Sequence, residues 1–353
     1  MAQEAKIEVA LHCPAPIPAK DAILLGHGSG GRMSADLLQS ILLPALKNPV
    51  LEQLNDQAIV EFGGARLAFT TDSFVVKPLF FPGGDIGTLA VNGTVNDLAM
   101  GGARALFLSL ALILEEGLPM DDFRQVVESI RVAAAIAGVT VITGDTKVVE
   151  KGSGDGIFVN TSGIGVVAPG IELSADRARP GDRVLLSGTI GDHGITILSQ
   201  REGLEFAGEI ASDTAALHAL VAEMLGASSE IRCLRDPTRG GLSSSLNEIA
   251  ARSRVGIELD ERAIPVREEV QGACEMLGLD PLYVANEGKL IAIVAPDAAE
   301  NVLAAMRNHP LGREARIIGT VKESNSAMVT MRTRLGTSRI VDLLSGDQLP
   351  RIC

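Results

Sequence analysis

Three apolar segments in the first half of this chain each carry an aspartate that breaks the hydrophobic run. Asp72 follows Phe69, Thr70 and Thr71. Asp97 lies inside the helix-like stretch Thr94 to Ala103, and Asp145 closes a strand-like stretch just before Thr146 and Lys147. A carboxylate in an apolar element is costly unless it is paired or holds a metal. Several such groups converging repel one another, and hard cations with oxygen ligands are their natural neutraliser. Any one of these residues alone reads as a helix cap or turn residue. Four in one domain, counting Asp56 in the loop Leu54 to Ala58 and with Lys147 beside them, point instead to a site where Mg²⁺ bridges carboxylates to phosphates. The fold has to place these acids at strand and helix edges.

Glycine-rich segments add backbone that suits phosphate. Gly26, His27, Gly28, Ser29, Gly30, Gly31 and Arg32 could wrap a polyphosphate with exposed amides, with a helix following at Met33. The string matches neither the P-loop nor the GxGxxG pattern. Gly83, Gly84 and Asp85 read as a turn and an N-cap. The stretch Asp236 to Gly241 is again loop-to-helix and supplies Arg239; its plainer reading is a capped helix start.

At 353 residues the chain calls for two domains. Arg66–Val76, Ala105–Leu114, Val139–Val149 and Ile157–Val167 read as strands, and Asp85–Met100 and Asp121–Ala137 carry helical periodicity. A turn-rich break at Pro169–Gly181 precedes a second mixed series, which ends in the strand Lys289–Val294, the helix Ala298–Asn308 and the strand Ala315–Val321. The expected class is α+β, with a leader over 1–24, domains over 25–170 and 171–335, and a flexible tail over 336–353. A net charge of −13 argues against an electrostatic hold on nucleic acid or an anionic membrane. The apolar run Ala105–Leu114 is too short to span a bilayer, and nothing reads as a secretory signal, so a cytoplasmic location is expected.

Four cysteines, Cys13, Cys233, Cys274 and Cys353, show no metal or disulfide spacing. Cys233 and Cys274 read as small buried apolar residues. Cys353 closes the string Pro350, Arg351, Ile352, Cys353 behind a hinge at Gly346, whose seven steps reach at most roughly 23–25 Å. It is either a frayed terminus or a thiol on a tether. The neighbouring α-carboxylate should disfavour the thiolate, with Arg351 offsetting part of that field. An unactivated nucleophile, dependent on an electrophilic donor, is the expectation.

In this order the strings resemble the family that contains aminoimidazole ribonucleotide synthetase, selenophosphate synthetase and thiamine-monophosphate kinase. The shared pieces are the Asp56 loop, Thr70 to Asp72, Asn96 and Asp97 through Ala103, and Asp236 to Gly241. Within that family the hydrogenase-maturation branch of carbamoyl dehydratases is closest. Its pieces are Gly26 to Gly31, Val76 to Asp85, Gly144 to Val149, Gly191 to Gly194, Asn286 to Lys289 and the terminal Pro350 to Cys353. The resemblance implies an ATP-binding fold whose N-terminal sheets pair in a homodimer. It places Asp56, Asp72 and Asp97 on Mg²⁺ and the phosphates, with Asn96, Asp145, Thr71, Thr146, Gly28 and Gly30 also at the nucleotide. Lys147 would neutralise charge on the transferred phosphoryl group. Glu287, which the string alone reads as a surface turn carboxylate, would be the base of a dehydration. His27 could assist, and His193 reads as structural.

The implied reaction converts an S-carbamoyl group on Cys353 to a thiocyanate at the expense of ATP. A carbamoyltransferase, HypF, would supply the group, and an iron-carrying HypC–HypD complex would receive the cyanide for nickel–iron hydrogenase. Two other readings stand beside it. One is an ATP-dependent synthetase or kinase of the same fold acting on a diffusible small molecule; the other is a carrier whose acidic cluster is structural.

Overall fold

The computed structural model describes residues 22–204, 208–324, 326–344 and 351–353. The leader up to residue 21, with Cys13, and the hinge at Gly346 lie outside them.

The first domain opens with a short helix α1 (Arg32–Leu37) continuing through a wider turn into α2 (Leu43–Leu46). Strands β1 (Ala58–Phe62) and β2 (Ala65–Phe74) follow, then the small hairpin β3 (Phe80–Phe81) and β4 (Gly84–Asp85), and α3 (Ile86–Met100). Next come β5 (Ala103–Glu115), α4 (Met120–Ala137), β6 (Thr140–Val149) and β7 (Ile157–Val167). The sheet order is β1-β2-β7-β5-β6, antiparallel except for the parallel β5–β6 pair. The burial of β7 alternates residue by residue, as expected of a sheet covered on one face. Helices α3 and α4 cover that face. Asp85 caps α3, its Oδ1 accepting the Thr88 N–H at 2.9 Å.

The apolar run of α3 continues around the whole helix because its far side meets the second domain. Ala99 and Met100 join the core that holds Leu217, Leu220 and Met224. That domain comprises β8 (Arg183–Leu186), α5 (Asp192–Glu202), α6 (His218–Ala227), β9 (Ile231–Arg235), α7 (Gly241–Ser253) and β10 (Gly256–Asp260). It continues with α8 (Glu268–Leu277), β11 (Ile291–Val294), α9 (Ala299–Asn308), β12 (Arg316–Lys322), β13 (Val329–Arg332) and β14 (Ser338–Ile340). Its sheet runs β14-β13-β10-β12-β8-β11-β9, with α7 packed on one face and α6 and α9 on the other.

The expected tail over 336–353 starts too early. Strand β14 pairs with β13, Val341 is fully buried, and the Leu344 carbonyl accepts the Arg32 N–H at 2.9 Å. The chain is therefore fixed to the body as far as Leu344. Two apolar residues, Ile340 and Val341, were too short a signal to mark a strand.

Candidate functional site

The acids converge where the two domains meet. Asp72, at the end of β2, and Asp97, on α3, share the helix-covered side of the first sheet. Thr70 Oγ1 lies 2.8 Å from both Asp97 Oδ2 and the Asp56 carbonyl. Asp236, from the loop between β9 and α7, and Glu287 come in from the second domain. Burial first, then the charges of Asp236, Asp72 and Glu287, hold the Asp97 carboxyl well above its usual range. Burial likewise pushes Glu287 well up, with Asp236, Asp213 and Asp72 adding to it and Arg239 opposing. Asp236 is pushed up to about 6, chiefly by burial. Asp72, about a third of whose side chain is exposed, is raised by burial against the pull of Arg239 at 3.9 Å.

Among the described residues Arg239 opposes the rise of Asp72 and Glu287, and Arg235 that of Asp236. Glu287 Oε1 is buried without a hydrogen-bond partner among the described residues. No three acidic, His or Cys groups among those residues are arranged to hold a metal by themselves. Converging carboxylates that repel one another, with the buried Oε1 of Glu287 unpartnered among the described residues, are a donor set that suits a hard divalent cation.

Asp56 is engaged differently from expectation. Its carboxylate pairs with Arg235, which also donates to Glu248 Oε2 at 2.7 Å and to the Leu54 carbonyl at 3.2 Å. Asn96 is engaged across the domain boundary: its Nδ2 donates to the Ala215 carbonyl at 3.0 Å and the Glu287 carbonyl at 3.4 Å, and its Oδ1 accepts the Leu217 N–H at 2.7 Å. Asn96 here clips α3 to the second domain.

Beside the acids lies a cavity of about 370 Å³ walled by His27, Gly28, Gly30, Asp56, Asp236 and Arg239, with Ser244 and Ser245 from α7. The glycine loop closes over it. Gly30 has φ +73°, and a Cβ there would stand 2.6 Å from the Arg239 carbonyl oxygen, so only glycine fits. Arg239 Nη1 donates to the Gly28 carbonyl at 3.2 Å. His27 Nδ1 accepts the Leu24 N–H at 2.9 Å and so caps its own turn.

The last three residues dock at this junction. Ile352 forms an antiparallel bridge with Val76; Val75 N–H donates to the Cys353 oxygen at 2.7 Å and Lys77 N–H to the Arg351 oxygen at 3.2 Å. Arg201 Nη2 donates to the same Arg351 carbonyl at 2.6 Å, and Arg351 pairs with Asp155 at 2.9 Å. The Ile352 side chain is buried in the first domain's core, and His193 Nε2 lies 2.5 Å from its carbonyl. Cys353 is half-buried. Burial pushes its thiol above the usual range, with Glu287 and Asp72 adding to the rise while Arg239 opposes it. Sequence reasoning expected a disfavoured thiolate but for another reason, the α-carboxylate.

His193, read as structural, is thus a contact of the terminal segment. Asp155, Arg201 and Asp213 were missed altogether, since single polar residues in loops and helix ends carry no periodic signal. Asp213 Oδ1 accepts the Glu287 N–H at 3.0 Å, and Lys289 Nζ lies 3.3 Å from the other oxygen. Cys233 and Cys274 are buried, as their surroundings implied.

A second group of expected residues lies elsewhere. Asp145 and Lys147 pair on β6 at 2.5 Å, both mostly exposed. The register Asp145, Ala111, Asn160, Ser73 puts Asp145 three strands, roughly 14 Å, from the end of β2. Thr71 and Asp145 belong to the uncovered face of the sheet, opposite Asp72. Thr146, also on β6, is exposed. One copy of the chain does not bring Lys147 to Asp97. The uncovered face also carries an apolar patch: Phe69, Ile164 and Phe107 stand in register across three strands, each about 40% exposed or more.

Comparison with known proteins places these features. The family model for AIR synthase related protein, N-terminal domain, matches residues 54–167, and the one for its C-terminal domain matches 179–332. The chain is 62% identical over 327 residues to a carbamoyl dehydratase HypE of Azotobacter vinelandii, covering 93% of this chain and 96% of the relative. A HypE structure solved in complex with ATP aligns with TM-score 0.80 at 51% identity, covering 94% of this chain and all of that one. HypE in a HypE–HypF complex aligns with TM-score 0.83 at 50% identity, covering 87% and 99%.

Proposed function

The chain belongs to the carbamoyl dehydratase HypE family of AIR synthase related proteins, and from that premise we propose that it dehydrates an S-carbamoyl group carried on its own Cys353 to a thiocyanate. The observation that carries this reading is the docking of residues 351–353 along Val75–Lys77 at the domain junction, which leaves the half-buried Cys353 within the field of Arg239, Glu287 and Asp72. A catalyst for a diffusible substrate would gain nothing by filling its own site with a terminal thiol.

The carbamoyl arrives from a HypF partner while the tail is free, and docking brings it to the acids. The carbamoyl oxygen takes the γ-phosphoryl group of ATP, ADP leaves, and the nitrogen gives up a proton, leaving an S-bound imidoyl phosphate. Loss of the second N–H proton with cleavage of the C–O bond releases phosphate and forms the C≡N bond. Glu287 is the base for the nitrogen: a carboxylate held above its usual range is a stronger base and works nearer neutral pH. Arg239, 3.9 Å from Asp72 and part of the cavity wall, offsets negative charge there.

Asp72 and Asp97, with Asp236, are the carboxylates that would hold Mg²⁺, which when bound offsets phosphate charge. Asp56 keeps Arg235 at the cavity wall. Gly28 and Gly30 offer main-chain amides to the phosphates, and His27 borders them. Lys147, Asp145, Thr146 and Thr71 serve a neighbouring copy, reached when two apolar sheet faces pair in a homodimer. The thiocyanate is handed to a HypC–HypD complex in the cytoplasm. Among the described residues no helix is long and apolar enough to cross a membrane.

Intact mass of the carbamoylated chain, before and after Mg-ATP, tests the proposal. Loss of about 18 mass units is expected; an unchanged mass defeats it.

A further inference from the structure

The contacts to residues 351–353 differ in kind from those of a loose end lying on a surface. Every level of the peptide is read. The backbone is held by Val75 and Lys77 through strand-like pairing, the mode by which sheet edges capture extended peptides. Its two carbonyls at Arg351 and Ile352 are taken by side chains, Arg201 and His193. The Ile352 side chain enters the core beside Val76, and Arg351 meets Asp155, which Lys77 also approaches at 3.6 Å.

The reading residues are themselves fixed. His193 is fully buried, edge-on to Phe81 with ring centroids 5.6 Å apart, and its Nδ1 lies 2.7 Å from Ser212 Oγ. Ser212 N–H donates to the Pro82 carbonyl at 2.8 Å, which ties that contact to the β3–β4 hairpin. A site this preorganised pays little on binding, because its side chains are already immobilised.

We infer that the groove along Val75–Lys77 is a recognition site for the tripeptide Arg-Ile-Cys, which binds residues 351–353 as a separable ligand whose affinity resides in those three residues. This deepens the reading of Cys353 as the substrate arm and rests on it. The ligand class is a short extended peptide with a cation, a branched apolar residue and a terminal thiol or S-carbamoyl thiol in that order. A tether of a few residues supplies an effective concentration of about millimolar and changes nothing in the groove.

The test uses the full chain carrying Ile352→Asp, whose own tail cannot enter the apolar pocket. The probe is a dye-labelled octapeptide of residues 346–353 with Cys353→Ser, followed by fluorescence anisotropy. Saturable binding is expected, at least tenfold tighter than to the wild-type chain, whose tail occupies the groove. The same peptide with Ile352→Asp should not bind, and adding His193→Ala to the chain should weaken the Ile352-bearing probe at least fivefold. The Cys353→Ser peptide at millimolar concentration should also speed alkylation of Cys353 in the unsubstituted chain, a readout that needs no variant to fold. Absence of binding to the Ile352→Asp chain, or equal binding of both peptides, overturns the inference. The reaction itself is judged separately by mass: water loss without peptide binding spares the dehydratase and sinks the groove, and peptide binding without water loss does the reverse.

Discussion

His193 Nε2 stands 2.5 Å from the carbonyl oxygen of Ile352. A carbonyl can only accept, so Nε2 carries the proton. Burial holds the ring below its usual range and therefore neutral, which leaves Nδ1 to accept from the Ser212 hydroxyl. His193→Ala strips this bond and leaves a buried carbonyl unmet, a cost of about 1–3 kcal/mol. Alkylation of Cys353 should become roughly tenfold faster, and His193→Gln should recover part of the loss. An unchanged alkylation rate in His193→Ala would show that the tail is held by other contacts.

Glu287→Gln should cut dehydration by about 10²–10⁴ while leaving the tail docked. In the unsubstituted chain the base is protonated at low pH, so the rate should climb as pH rises through its elevated folded value. Asp213→Asn removes a like charge next to Glu287 and keeps an oxygen for its N–H. The rising limb should then move to lower pH. A limb that stays put would uncouple the two carboxylates.

Asp97, Asp236 and Glu287 all have folded values raised above their ordinary ones. Such groups bind protons more tightly in the folded chain than in the unfolded one, so their contribution to stability is complete below the ordinary carboxylate value and disappears as pH rises through the folded one. For Asp236 that window runs from 3.8 to about 6. Without Mg-ATP the melting temperature should rise by several degrees between pH 7.5 and 5.5. Asp97→Asn should raise it at pH 7.5 and flatten the slope. A steady fall in melting temperature over the same range would count against the cluster as described.

If Lys147 serves the site of a neighbouring copy, Lys147→Ala and Glu287→Gln chains are each inactive alone but complementary when mixed. Random pairing makes half the dimers mixed, and each holds one intact site of two. Co-refolded mixtures should therefore regain about a quarter of wild-type turnover. No recovery would place both residues in one chain's site, against the roughly 14 Å that separates β6 from the end of β2.

Much of this site was written in short strings. An aspartate inside an apolar helix has few structural excuses, and Asp72 and Asp97 do converge. Gly30 was legible because only a close approach demands glycine there. Face was harder to read. Thr71 and Asp72 are neighbours in sequence yet sit on opposite sides of one sheet, and period two separates them whenever a strand forms. Asn96 and Asp56 show a different limit, since an amide filled by backbone or an acid met by Arg235 depends on residues more than a hundred positions away. Likewise His193, in a string of its own, revealed its target only when folding brought Ile352 across to it.

The docked Cys353 has a kinetic consequence. A protonated, half-buried thiol is a poor target for peroxide as well as for acyl donors, because the thiolate is the reactive form. The resting molecule therefore stores its handle in a chemically quiet state. Loading waits for the groove to let go, so at saturating donor the carbamoylation rate should level off at the opening rate of three residues, whatever donor is offered.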